Sequence, residues 1–158
     1  MIKVYIGTDH AGFETKEHLK AYISSLGYEV VDLGPFSFDK DDDYPDLIRP
    51  VAEAVAGDAG SMGVILGGSG QGEAMCANRV KGARAAVFYG GAREQTDAGG
   101  ATLDMIASMR EHNNANIISL GARFMTDDEV KDAVKRFLEL PFSGNERHTR
   151  RIKKLDQF

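Results

Sequence analysis

Seven residues, GGSGQGE from Gly67 to Glu73, hold the densest candidate chemistry in this chain of 158 residues. Glycines let a backbone approach a ligand closely and turn its N–H groups towards it. A helix starting behind them adds a field that favours negative charge. The spacing from Gly67 to Gly72 matches the opening of a P-loop, but that motif continues with Lys and then Ser or Thr. Glu73 and Ala74 stand there instead, and a carboxylate would repel a triphosphate. The pattern G-x-G-x-x-G fails as well, because Glu73 or Met75 falls where its last glycine belongs. The loop better suits a carboxylate base, Glu73, working beside backbone donors. Such donors stabilise the oxyanion made when a proton is taken from a carbon next to a carbonyl. The plain structural reading is a tight strand-to-helix turn with Glu73 as a helix-start carboxylate.

Other candidates gather around this loop in the expected topology. Asp9 and His10 end the first strand, and an adjacent acid and imidazole can orient and protonate sugar oxygens. The same pair also reads as a helix-capping Asp followed by a surface His. His112 lies in REHNNAN, before the last strand, where on its own it is an ordinary helix-end histidine. Arg147 and Arg151, four apart in the tail RHTRR, would project from one helix face and could grip a phosphate through paired hydrogen bonds. A solvated basic helix end has the same sequence. Arg123, after the last strand, could join that cluster.

Two constellations fail. Asp39–Asp43 imitates the start of a Ca²⁺ loop, but Tyr44 replaces the needed glycine and Pro50 the final glutamate, which leaves a solvated loop. The four histidines, His10, His18, His112 and His148, are scattered without zinc spacing, and His18 reads as a surface residue. No metal site is expected.

The elements that must position these residues alternate. Strands are expected at 2–7, 28–33, 63–66, 83–88 and 116–120. Helices are expected at 12–26, 46–56, from Gly72 to Asn78, 102–110, 127–139 and through the basic tail 145–155. Thr126 should cap the helix at 127–139. This alternation implies one α/β domain, 1–158, with a parallel sheet and helices on both faces. Ligands of such sheets bind at the carboxyl ends of the strands, where strand order reverses. His112 precedes its strand, so it belongs at the amino edge, about 17–20 Å away.

Net charge is −5, so the overall field attracts neither nucleic acid nor an anionic membrane, and an anionic substrate needs a local basic cluster. A single cysteine, Cys76, excludes an intramolecular disulfide framework. With no signal-peptide-like apolar run at the start and no apolar stretch of about 18 residues, the expected location is cytoplasmic.

Taken in order, IGTDHAGF (6–13), DYPD (43–46), GGSGQGEAMCANRVKGARAA (67–86), REHNNANIISLGAR (110–123) and PFSGNERHTRRI (141–152) resemble the type B ribose-5-phosphate isomerases and the related galactose-6-phosphate isomerase subunits. The resemblance implies a single Rossmann-like domain with a five-stranded sheet, working as a homodimer or tetramer whose active sites draw on two subunits. It implies no cofactor, and opening of a sugar-phosphate ring followed by proton transfer through an enediolate. One branch of that family has a cysteine base at the position of Gly67, and another a glutamate at the position of Glu73. The resemblance therefore assigns Glu73 as base, with Ser69 in support, and gives ring opening to His112 helped by Asp9. It gives phosphate binding to His10, Arg147 and Arg151 with Asn113 and Arg123 nearby, and the oxyanion site to the loop around Gly68, Gly70 and Gly72.

One stretch departs from the family pattern. Residues 89–101, YGGAREQTDAGGA, lengthen the connection after the fourth strand. They could reshape the pocket, or they could be a surface insertion of the kind loops tolerate. Beside ribose 5-phosphate stand two alternatives: another sugar phosphate, of a hexose or a tetrose, and a non-catalytic sugar-phosphate-binding module.

Overall fold

The computed structural model describes residues 1–157. Five parallel strands form the central sheet: β1 (Lys3–Thr8), β2 (Glu29–Asp32), β3 (Met62–Gly67), β4 (Ala85–Phe88) and, after a small hairpin, β7 (Ile117–Gly121). Their order is β2-β1-β3-β7-β4. The chain runs outward from β1 in both directions, so strand order reverses between β1 and β3. The loops that leave their carboxyl ends, at Asp9 and at Gly67, therefore diverge and open a crevice.

Six helices were expected, and helices at all six places flank the strands: α1 (Phe13–Ser25), α2 (Tyr44–Gly57), α3 (Gln71–Ala77), α4 (Met105–Ala107), α5 (Asp127–Glu139) and α6 (Glu146–Leu155). Leu19 and Ile23 of α1 and Val130, Ala133, Val134 and Phe137 of α5 fill one face of the sheet. Ile48, Val51, Ala52 and Val55 of α2, with Ala77 of α3, fill the other. Spacings of three and four place each set on a single helix face. Each fully buried Val, Leu or Ile contributes roughly 1.5–3 kcal/mol relative to leaving it exposed. β3 is buried along its whole length, as a central strand covered on both faces must be. Thr126 caps α5 in a reciprocal capping box with Glu129, as its position before an acidic first turn implied.

The stretch 102–110 departs from the helical expectation. Thr102–Asp104 is strand β6, paired antiparallel with β5 (Glu94–Thr96), and the helix starts only at Met105. Asp104 causes the break. Its carboxylate accepts from the amides of Ile106 and Ala107, so the helix is capped there. It also accepts from Arg93 at 2.8 Å and from Arg136 of α5 at 2.9 Å. Arg93 reaches Asp132 of α5 as well. The lengthened segment is thus an ordered hairpin fastened to α5. The helix beyond Ala107 continues as a π-turn, Ser108–His112.

Lys16, in the first turn of α1, is fully buried. Its ammonium donates to both Asp32 oxygens at 2.8 and 2.9 Å and to the carbonyl of Pro35 at 2.8 Å. A buried ammonium is tolerated when it is paired and hydrogen-bonded in this way. The clamp fixes the start of the loop that runs from Gly34 to Asp43 across the crevice.

Candidate active site

Asp9 leaves β1 and caps a single 3-10 turn, His10–Gly12, by accepting from the amide of Ala11 at 2.9 Å. Gly12 must be glycine, because a Cβ there would lie 2.4 Å from Thr8 Oγ1 and 2.6 Å from Leu66 Cβ. Asp9 is thereby pinned, largely buried, between β1 and β3. Beside it, His10 Nδ1 lies 2.6 Å from Asp42 Oδ1 and 4.0 Å from Asp9 Oδ2. The bond to Asp42 raises the proton affinity of His10 most. Burial opposes it, the charges of Asp9 and Asp42 add to it, and Arg123 opposes it.

The glycine loop closes the other wall. Gly70 adopts φ +76°, and a Cβ on it would lie 2.9 Å from the Leu120 carbonyl carbon, so only glycine fits. Ser119 Oγ donates to the Gly70 carbonyl at 2.6 Å and anchors the loop to β7. Ser69 Oγ accepts from the amide of Gln71 at 3.3 Å. Among the described residues, no protein acceptor takes the N–H groups of Gly68, Ser69 or Gly70. Three backbone donors are therefore free at the mouth of the crevice.

Glu73, in the first turn of α3, is 4% exposed, and its carboxylate folds back over Gly67. Burial raises its proton affinity most, and the charge of Asp9 adds to that. Its own backbone amide and the charge of His10 oppose the rise. A carboxylate pushed upwards by burial beside unpaired amide donors has the makings of a general base poised near an oxyanion site.

Arg123, which could join the basic cluster, lies on this edge too, away from the basic tail of its own chain. Its amide donates to the Gly68 carbonyl at 3.2 Å, and its guanidinium lies over Gly68. The physical reason is that Arg123 sits in the turn just after β7, whose carboxyl end lies beside that of β3.

At the amino edge of the sheet stands a second group. His112 ends the π-turn before β7, and its ring centroid is 4.6 Å from that of His148 on α6. His148 is buried, and Ser143 Oγ lies 3.1 Å from its Nδ1. Burial lowers its proton affinity most, and His112, Arg147 and Arg151 lower it further. Arg147 and Arg151 project into solvent from this helix. Asn113 donates its side-chain amide to the Ser108 carbonyl at 2.9 Å, finishing the turn. Within one chain, then, Asp9, His10, Ser69, Glu73 and Arg123 stand at one end of the sheet, and His112, Asn113, Arg147 and Arg151 at the other. His18 is exposed on α1, as expected.

Three residues near the sites escaped sequence reasoning. Asp42 was placed in a solvated loop, yet its carboxylate is largely buried against His10. The triplet Asp41–Asp43 before Tyr-Pro held no signal to single out its middle member. Tyr44 lies over Gly72, where a Cβ would meet its ring at 2.8 Å. His148 packs on His112, a pairing for which the sequence held no local signal. Among the described residues, Asp9, His10 and Asp42 form the one group whose side-chain atoms could converge on a metal ion. Two of those atoms are already engaged, Asp9 Oδ1 with the Ala11 amide and His10 Nδ1 with Asp42.

Comparison with known proteins bears on this arrangement. A family model described as Ribose/Galactose Isomerase matches residues 4–155. Ribose-5-phosphate isomerase B of Mycolicibacterium paratuberculosis is 39% identical over 157 residues, covering 99% of this chain and 91% of that protein. The crystal structure of ribose-5-phosphate isomerase B from Mycoplasma genitalium, with bound ribulose 5-phosphate, superposes with a TM-score of 0.86 at 36% identity. That match covers 99% of this chain and 95% of that one. Type B ribose 5-phosphate isomerase of Trypanosoma cruzi superposes with a TM-score of 0.85 at 38% identity, covering 99% and 95%.

Proposed function

The chain belongs to the ribose/galactose isomerase family, and from that membership and the geometry of the crevice we propose that it interconverts ribose 5-phosphate and ribulose 5-phosphate with Glu73 as the base. The observation that carries this reading is the buried Glu73 carboxylate lying over Gly67, next to the free amides of Gly68, Ser69 and Gly70.

In the proposed reaction the furanose first opens. His112 of the partner subunit protonates the departing ring oxygen while Asp9 takes the proton of the anomeric hydroxyl, leaving an aldehyde at C1. Glu73 then removes the proton on C2. The C2–H electron pair becomes the C1–C2 double bond, and the C1 oxygen takes up negative charge opposite the loop amides. The C2 hydroxyl proton passes to the C1 oxygen, and return of the proton from Glu73 to C1 leaves a hydroxyl at C1 and the ketone at C2. Ser69 supports the C1 and C2 oxygens. His10 of one subunit, with Arg147 of the partner subunit and Arg151 of the partner subunit, holds the phosphate, with Arg123 and the partner's Asn113 nearby, and they supply the local positive charge that an acidic chain needs.

The two-subunit arrangement is the part of this proposal that topology supports most. A strand as long as β7 separates His112 from the Glu73 crevice, and a side chain cannot span that distance. A two-fold related copy could present its His112 and basic helix to the crevice and would create two equal sites. The hairpin at 94–104 is fastened to α5 through Arg93 with Asp132 and Asp104 with Arg136. The test is a coupled assay across pentose, hexose and tetrose phosphates. Turnover of ribose 5-phosphate at least tenfold above the others is expected, on the order of what one pocket contact decides. Preference for another sugar overturns the substrate, and no turnover of any overturns the reaction.

A further inference from the structure

Asp42 comes from the loop between β2 and α2, crosses the mouth of the crevice and meets His10 at 2.6 Å. An ionised carboxylate only accepts, so the Nδ1 of His10 carries the proton in this bond, and Nε2 is left as the free nitrogen of the ring. Asp42 Oδ2 is buried without a hydrogen-bond partner, the one such side-chain atom among the described residues. Among the described residues, no Lys or Arg forms a salt bridge with Asp42. A carboxylate placed in this way has one compensating group within reach, the imidazole of His10, and it favours that ring charged. The other groups facing His10 are Asp9 from its own turn, Arg123 from the turn after β7, and Glu73 from α3. Phe38 presents its ring edge-on, 6.5 Å away between centroids.

We propose that Asp42 is the positioning residue for His10: it turns the ring so that Nε2 is the free donor towards the substrate's phosphate, and it keeps the imidazole charged for that contact. The proposal rests on the reading of His10 as a phosphate ligand. Asp42 itself need touch nothing that reacts. The raised proton affinity of His10, to which the bond from Asp42 contributes most, agrees with this geometry. So does the Lys16 clamp on Pro35, which fixes the loop that carries Asp42.

The test uses the full chain and two kinds of readout. Imidazole ¹⁵N resonances report the tautomer and titration of His10 directly, with inorganic phosphate as the probe ligand. In Asp42→Asn the ring should keep its Nδ1–H and titrate at lower pH than in wild type. In Asp42→Ala the fixed tautomer should be lost too. Kinetically, Asp42→Ala should raise KM and the inhibition constant of inorganic phosphate about tenfold, the size expected for a lost charge-assisted contact, with kcat much less affected. Combining it with His10→Asn should add little to either single change, because the two residues act as one unit. Unchanged titration and tautomer of His10 in Asp42→Ala, or additive losses in the double variant, would overturn the proposal. If His10→Asn leaves phosphate inhibition unaltered, the assignment of His10 to the phosphate fails, while the NMR titration still decides whether Asp42 governs the ring.

Discussion

The Glu73 carboxylate occupies the space in which a side chain on Gly67 would begin: a Cβ built on Gly67 would lie 2.0 Å from Glu73 Cδ and 2.1 Å from Oε1. A side chain at position 67 and the Glu73 carboxylate in this place exclude each other sterically, so on the proposed reading a glycine at 67 is a condition for a working glutamate at 73.

Gly67→Ala should therefore separate folding from activity. The atoms a new Cβ would strike belong to the far end of a flexible side chain, which can swing away. Thermal unfolding should change little, while kcat falls by at least about tenfold as the base is displaced, given that misplacement of about 1 Å can cost about a hundredfold. A variant with wild-type kcat would show that Glu73 works from another position.

Glu73→Gln should lower kcat by about 10²-fold or more and leave inhibition by inorganic phosphate largely unchanged. The pH dependence has a definite sign. Burial raises the folded-state pKa of Glu73, with Asp9 adding to the effect. Activity of a carboxylate base should then rise with pH along an acid limb placed above the ordinary glutamate value of about 4.3. The folded state also binds this proton more tightly than the unfolded state. Its contribution to stability is full below the unfolded pKa and is lost as pH rises through the folded one. Glu73→Gln removes that loss, so its melting temperature at pH 7 should exceed that of wild type. Scanning calorimetry at pH 4 and pH 7 checks the crossover.

Mixing inactive Glu73→Gln and His112→Asn proteins under conditions of subunit exchange should restore activity. Half of randomly formed dimers are mixed, and each has one intact site of two, so recovery of about a quarter of wild-type turnover is expected. Verified mixed dimers that remain inactive would place His112 outside the partner's site.

Arg147→Ala and Arg151→Ala should chiefly raise KM and weaken inhibition by inorganic phosphate, about tenfold or more for each guanidinium lost. Both side chains are exposed on α6. Thermal stability should accordingly move little, within about 0.5 kcal/mol. Unaltered phosphate inhibition in the double variant would exclude the clamp.

Asp104→Ala should cost roughly 2–4 kcal/mol of stability in urea unfolding, because it removes a helix cap and the centre of two guanidinium contacts. Burial works against ionised Asp104, yet the Ala107 amide with Arg93 and Arg136 holds its pKa below the ordinary carboxylate range. That contribution is present above the unfolded pKa and disappears as pH falls through the lowered folded one. The stability gap between variant and wild type should narrow accordingly in acid.

Local pattern was enough to read the order of the sheet's strands along the chain, the helices between them and the capping of α5. Each depends on neighbours within a few residues: apolar spacing of three and four in α5, a continuous apolar run in β3, Thr126 ahead of three acids. The same holds for Glu73 beside a glycine loop and for the separation of His112 from it, since position before or after a strand fixes the edge of the sheet. Asp104 breaking a helix into a hairpin was not legible, because its partners Arg93 and Arg136 lie 11 and 32 residues away. Nor was Lys16, whose burial depends on Asp32 and Pro35. Asp42 and His10 are 32 residues apart, and His112 and His148 meet only because α6 packs along the amino edge. Solvated and buried carboxylates have the same letter. Only the tertiary structure decides which of them loses its water and must find a charge to face.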